Sequence, residues 1–156
     1  MIGTPGAPPW LLVANLEEAL QVKEIPGAAH ADRILMYHDY TSLDAETDEV
    51  PWCSSFVNYC VATCGLGLTP TRSARARSWL EWGVPLGYPA LGCIAVMKRG
   101  GPGQPGPEVI AAKGHVGLFD RFDGNGNPLV RGGNQNNRVC TKAYPVSRVL
   151  GYRWPA

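Results

Sequence analysis

The fold turns on the stretch Pro51-Trp52-Cys53-Ser54-Ser55-Phe56-Val57-Asn58-Tyr59-Cys60-Val61-Ala62-Thr63-Cys64-Gly65. Phe56, Val57, Cys60, Val61 and Cys64 recur at the 3.6-residue helical period and make one apolar stripe. Pro51 suits the first turn and Gly65 the position just past the end. A helix with such a stripe must lay it on something, and the segments on either side say what.

Upstream the pattern stays helical. Trp10 to Leu20 carries apolar residues at helical spacing and stops before the turn Ile25-Pro26-Gly27. His30 to Tyr40 is a second amphipathic segment, with Ile34, Leu35 and Tyr37 inward, and a polar loop follows from Thr41 to Val50. Downstream, a fourth helix over about Ser73 to Trp82 carries Trp79 and Leu80 and ends at Gly83. The pattern then changes to strands: Cys93 to Met97, His115 to Phe122, Leu129 to Gly133, Val139 to Tyr144 and Val149 to Trp154. Gly, Pro, Asn and Asp clusters separate them. Helices first and strands afterwards predict an α+β domain, with the N-terminal helices on a mostly antiparallel sheet of five to six strands. The segment Arg99 to Pro107, with four Gly and three Pro in nine residues, reads as a mobile loop beside the site.

The chain has 156 residues, 45% of them apolar and 17% charged, which fits one domain spanning residues 1–156 with a packed core. A formal net charge of +1 and no Lys/Arg run argue against nucleic acid. No apolar run approaches the roughly 18 residues of a membrane helix, so no membrane insertion is expected. Met1 to Trp10 has no positive residue ahead of an apolar stretch, so a Sec signal peptide is not expected. Action outside the cytoplasm would need another route of delivery.

Five cysteines, Cys53, Cys60, Cys64, Cys93 and Cys140, form no CxxC pair. That spacing suits neither a zinc site nor a disulfide scaffold. Cys60, Cys64, Cys93 and Cys140 read as small buried hydrophobes. Cys53 differs because it opens a helix. Unpaired N–H groups and the positive end of the helix dipole favour an anion there, and the thiolate is the reactive form of cysteine. It also shares the inward stripe with Phe56 and Cys60.

A thiol nucleophile needs a base. His30 and His38 have no partner signal and read as surface or capping residues. His115, in Lys113-Gly114-His115-Val116-Gly117, starts a strand, and Gly114 and Gly117 leave space beside its ring. Such an imidazole can activate a thiol and later protonate a leaving amine. It needs a third group to fix its tautomer. The turn Asp123-Gly124-Asn125-Gly126-Asn127-Pro128 sets the hairpin register, with paired positions summing to about 249 or 250. His115 then faces Asn134 or Gln135, and a bulge would bring in Asn136. Asn134 is the expected partner. Asn136 and Asn137 read chiefly as turn residues. The Asp123–Asn127 oxygens imitate a calcium loop, but Pro128 stands where Gly is required and Asn134 where Glu is required, so no metal is expected. Trp52, Trp79 and Trp82, with Gln135, are the expected substrate contacts, while Trp154 reads as core.

Several of these segments together resemble a known family. Pro51 to Asn58 (PWCSSFVN), Ala74 to Gly83 (ARARSWLEWG), Gly114-His115-Val116-Gly117, Gly132-Gly133-Asn134-Gln135 and Leu150 to Pro155 (LGYRWP) are similar to CHAP and NlpC-type cell-wall hydrolases, over about Trp10 to Pro155. The resemblance implies a papain-like fold, Cys53 as nucleophile, His115 as base and a polar third residue near Asn134. Many CHAP members carry Gln where this chain has Trp52, and an acid where it has Asn134. It implies a peptidoglycan hydrolase without cofactor, a monomer, cutting either the lactyl–alanine amide or a bond within the stem peptide. The expected setting is a phage endolysin released onto the wall through a holin. The alternatives are an antibacterial effector paired with an immunity protein, and a non-catalytic wall-binding module.

Overall fold

The computed structural model describes residues 6–26, 31–43 and 51–156. His30 and residues 44–50 of the expected polar loop lie outside the described residues, as do residues 1–5. Three α-helices come first: α1 (Pro9–Ala19), α2 (Asp32–His38) and α3 (Cys53–Thr63). A 3-10 helix, Ala76–Glu81, leads into six strands. These are β1 (Val84–Leu86), β2 (Ile94–Lys98), β3 (Gly114–Phe122), β4 (Pro128–Gln135), β5 (Arg138–Ala143) and β6 (Val149–Trp154). They form one sheet in the order β1-β6-β2-β3-β4-β5, with every pairing antiparallel. The domain is therefore α+β, with a six-stranded antiparallel sheet. Among the described residues, no helix is long and apolar enough to cross a membrane.

Two elements differ from the sequence reading. The fourth helix is a six-residue 3-10 helix, not an α-helix. With three residues per turn, Ala76 and Trp79 eclipse one another, and both are buried. Strand β1 was not expected, because Val84-Pro85-Leu86 carries a proline. It is an edge strand paired only to β6, where a missing N–H is tolerated.

The expected stripe of α3 is buried at Phe56, Val57, Cys60 and Val61. It packs with Leu11, Ile34 and Tyr37 of the other helices against Val96, Val116 and Leu118 of the sheet. Each large apolar side chain withdrawn this fully contributes about 1.5–3 kcal/mol. Ala95, Met97, Val130 and Tyr144 form a smaller cluster, so alternate residues of β2 serve different clusters. Ser54, Ser55 and Asn58 of α3 are buried as well. Ser54 Oγ donates to Ser73 O (2.7 Å), and Asn58 Nδ2 donates to Ser54 O and Ser73 O while its Oδ1 accepts from Arg72 N (2.6 Å). The start of α3 is thus tethered to the segment that precedes the 3-10 helix.

The loop after β2 was expected to be mobile, but a guanidinium ties it down. Arg77, fully buried, donates to the carbonyls of Lys113, Gly106, Val109 and Pro105. Gly114 leaves room for this side chain, not for the imidazole: a Cβ there would lie 3.1 Å from Arg77 Cγ and 2.8 Å from Met97 O. Gly117 likewise accommodates Val130. Replacing Arg77 by Leu strips four carbonyls of their donor and should lower the unfolding free energy by about 3 kcal/mol or more. Urea titration would show this, together with faster amide exchange over residues 105–113. Unchanged stability would remove Arg77 as the clamp.

Candidate active site

Trp52 sits just before α3 and sets where Cys53 stands. Its indole is fully buried, and Nε1 donates to Glu24 Oε1 (2.8 Å). Its ring lies over Gly133 of β4, where a Cβ would come within 2.5 Å of Trp52 Cζ3. The helix start can dock this closely because residue 133 has no side chain. Cys53, the first helical residue, is then brought to the beginning of β3, and His115 is the second residue of that strand. Cys53 and His115 line one cleft, and the imidazole and the Val116 N–H both act on the sulfur to favour its thiolate.

Behind the imidazole stands Gln135, not Asn134. His115 Nε2 lies 2.9 Å from Gln135 Oε1. The expected hairpin register is the observed one, with Leu118 opposite Arg131 and Phe119 opposite Val130. The error lies further along. The β4–β5 register shifts between Gly132 and Gln135, and Asn134 adopts φ +57, so the strand's alternation breaks there. Gln135 reaches back over Gly132, where a Cβ would lie 2.8 Å from its Oε1. Asn134 instead lines the cleft beside the site. Asn136 and Asn137, at φ +52 and +60, form the two-residue turn into β5.

The orientation of Gln135 decides the tautomer. Its Nε2 donates to Val130 O (3.0 Å) and Cys140 O (2.8 Å), which turns Oε1 toward the ring. An amide oxygen only accepts, so His115 Nε2 carries the proton. Nδ1 is then left for the sulfur. The Tyr144 hydroxyl lies 3.2 Å from His115 Nε2, and its ring is tilted 31° to the imidazole with centroids 5.2 Å apart. Burial raises the Tyr144 phenol, which therefore stays protonated.

The electrostatics single out one sulfur. Burial pushes the thiols of Cys60 and Cys93 up, Cys93 to about 12. Burial also acts upward on Cys53. The His115 charge and hydrogen bond, the Val116 N–H and the Arg99 charge outweigh it, and the thiol titrates below its ordinary range. An ordinary thiol is only about 1% ionised at pH 6.5 and loses roughly fiftyfold in alkylation rate from pH 8.5. Cys53, titrating below the ordinary range, should lose clearly less over that interval. Iodoacetamide labelling read by peptide mass spectrometry tests this, and an ordinary fall-off would contradict it. Because the depressed pKa belongs to the folded state, the thiolate's contribution to stability is present above the unfolded thiol pKa. It is lost as pH falls through the folded one.

Two clefts open at Cys53. One, of about 190 Å³, is lined by Pro51, Ala74–Ala76, Arg99, Ala112, Lys113 and Gly114. The other, of about 180 Å³, holds His115, Asn134, Lys142, Tyr144 and Arg148, and shares Cys53 and Arg99 with the first. The tryptophans expected to contact substrate do not line either. Trp52 and Trp79 are fully buried, and Trp79 Nε1 donates to Ser54 Oγ (3.0 Å). Trp82 packs edge-on against Trp79 and donates to Thr69 O. Gln135, 1% exposed, holds the imidazole rather than offering itself to a substrate. His38 is no surface residue either: it is buried, with Nδ1 2.7 Å from Ser55 Oγ.

Tyr144 and the cleft cations were missed because each carries no local signal. They come from separate elements and meet only in space. The calcium-like turn closes on itself, since Asp123 Oδ1 accepts from Asn125 N and Asn127 N. Among the described residues, no group of three or more His, Cys, Asp or Glu side chains could hold a metal ion. Comparison with protein-family models, curated proteins and solved structures gives no match to this chain.

Proposed function

We propose that the protein is a thiol hydrolase that cuts an amide bond of peptidoglycan, on a papain-like fold. The observation that carries this reading is the chain Cys53–His115–Gln135: a thiol lowered below its ordinary range, an imidazole of defined tautomer, and a buried amide that holds it. The sequence segments shared in character with CHAP and NlpC-type enzymes supply the substrate class.

The steps follow from the groups present. The Cys53 sulfur attacks the amide carbonyl carbon and a C–S bond forms. The oxygen takes up the electron pair, and the Cys53 N–H at the helix start is placed to donate to it. His115 Nδ1, which has taken the Cys53 thiol proton to form the attacking thiolate, gives that proton to the nitrogen, the C–N bond breaks and the amine leaves. Water then attacks the thioester, passes a proton to Nδ1 and releases the acid and the thiolate. Throughout, Nε2–H stays on Gln135 Oε1, so the ring keeps its aim.

Digestion of purified peptidoglycan, read by mass spectrometry, tests the reading. Each cut should add one water and expose one new amine, and the site of that amine identifies the lactyl–alanine or stem-peptide bond. A digest with no new amine would overturn the proposal. A phage endolysin released through a holin is the setting we propose.

A further inference from the structure

Among the described residues, both clefts at Cys53 are lined by cations and by no carboxylate: Arg75, Arg99 and Lys113 on one side, Arg99, Lys142 and Arg148 on the other. Among the described residues, the ion pairs join Arg33, Arg121 and Arg131 to Glu17, Glu18 and Asp120, and none uses a cleft cation. Clustered like charges repel one another and make a field that favours an incoming anion.

The cleft beside His115 is the better built of the two. Arg148 is held by Nε and Nη2, both donating to Lys98 O (3.0 and 2.9 Å), which leaves Nη1 free for a ligand. Its guanidinium lies 5.2 Å from the centre of the Tyr144 ring, and Lys142 Nζ lies 5.5 Å from the same centre. One buried ring thus gathers two like charges at the mouth of one cleft. His115 lines this cleft and not the other, and it must reach the departing nitrogen. The leaving fragment therefore belongs here.

We infer that this cleft takes a free carboxylate on the amine-side fragment of the substrate, bound by Lys142 and Arg148. The assignment to the amine side rests on the hydrolase reading above; the preference for an anion does not.

Binding and turnover are measured separately. The probes are soluble stem-peptide fragments of peptidoglycan, either with free carboxyl groups or with the same groups converted to amides. Calorimetry with the Cys53→Ala protein should show the free-carboxylate form binding about tenfold tighter. Adding Lys142→Gln and Arg148→Gln should bring that preference below about twofold. Lys142 is exposed on β5, so Lys142→Gln alone should fold normally and lose part of the preference even if the combined variant does not fold. Equal binding of the two forms, binding of neither, or a preference that survives these substitutions would overturn the inference. If the preference stands while the parent protein cuts neither form, the anion cleft is upheld and the proposed hydrolysis alone falls.

Discussion

Cys53→Ala should fold as the parent does and release fragments from peptidoglycan at least about 10³-fold more slowly. The substitution removes one sulfur at the first position of α3, where alanine is helix-compatible and the apolar contacts of Trp52 and Phe56 are kept. The cost in stability should stay near 1 kcal/mol, within what a small cavity produces. The chemistry loses far more, because among the described residues of the clefts Cys53 is the one thiol. The remaining cysteines line neither cleft. Turbidity clearing and circular dichroism on the same preparation separate the two effects. Clearing at the parental rate by a well-folded Cys53→Ala protein would end the enzyme reading.

The second large effect concerns the amide behind the imidazole. Gln135→Ala should lower kcat by about 10² with little change in KM. The variant leaves Nε2–H without its acceptor, so the ring can turn and present the wrong nitrogen to the sulfur. It also strips a donor from Val130 O and Cys140 O, which should cost about 1–3 kcal/mol for each carbonyl left unsatisfied. A purely structural role would lower stability and leave the protonation behaviour of the folded fraction alone. The discriminating measurement is therefore the pH profile of Cys53 alkylation. If Gln135 positions the imidazole, that profile moves up toward an ordinary thiol in Gln135→Ala. An unmoved profile with undiminished kcat would return the role to another residue. Gln135→Glu should not rescue, because a carboxylate would set an oxygen against the carbonyls of Val130 and Cys140.

The two ends of this site were legible to different depths. Cys53 could be singled out because a helix start is a local pattern: a proline, an apolar stripe and a terminal glycine. His115 could be singled out because it opens a strand between two glycines, and a short turn sets the hairpin register, whose pairs sum to 249 or 250 from Leu118 to Phe122 with one shift between Phe119 and Arg121. The third residue was misread by one position because the break in β4 depends on contacts across the sheet. Trp52 over Gly133 and Gln135 over Gly132 need two residues without side chains, and Asn134 takes a left-handed backbone between them and the turn. The tryptophans were misjudged for a related reason. Residue type says that an indole is large and apolar with one donor, and a core satisfies that as well as a binding wall does.

Periodicity and turn chemistry by themselves determined the class of the domain, the start of its central helix and the pairing of its central hairpin, since each is set within a dozen neighbouring residues. Tertiary structure alone decided which amide backs the imidazole, which rings are sealed from solvent and that five cations from separate segments surround one sulfur. Those outcomes depend on close packing and on charges brought together from distant parts of the chain, and no local stretch contains either.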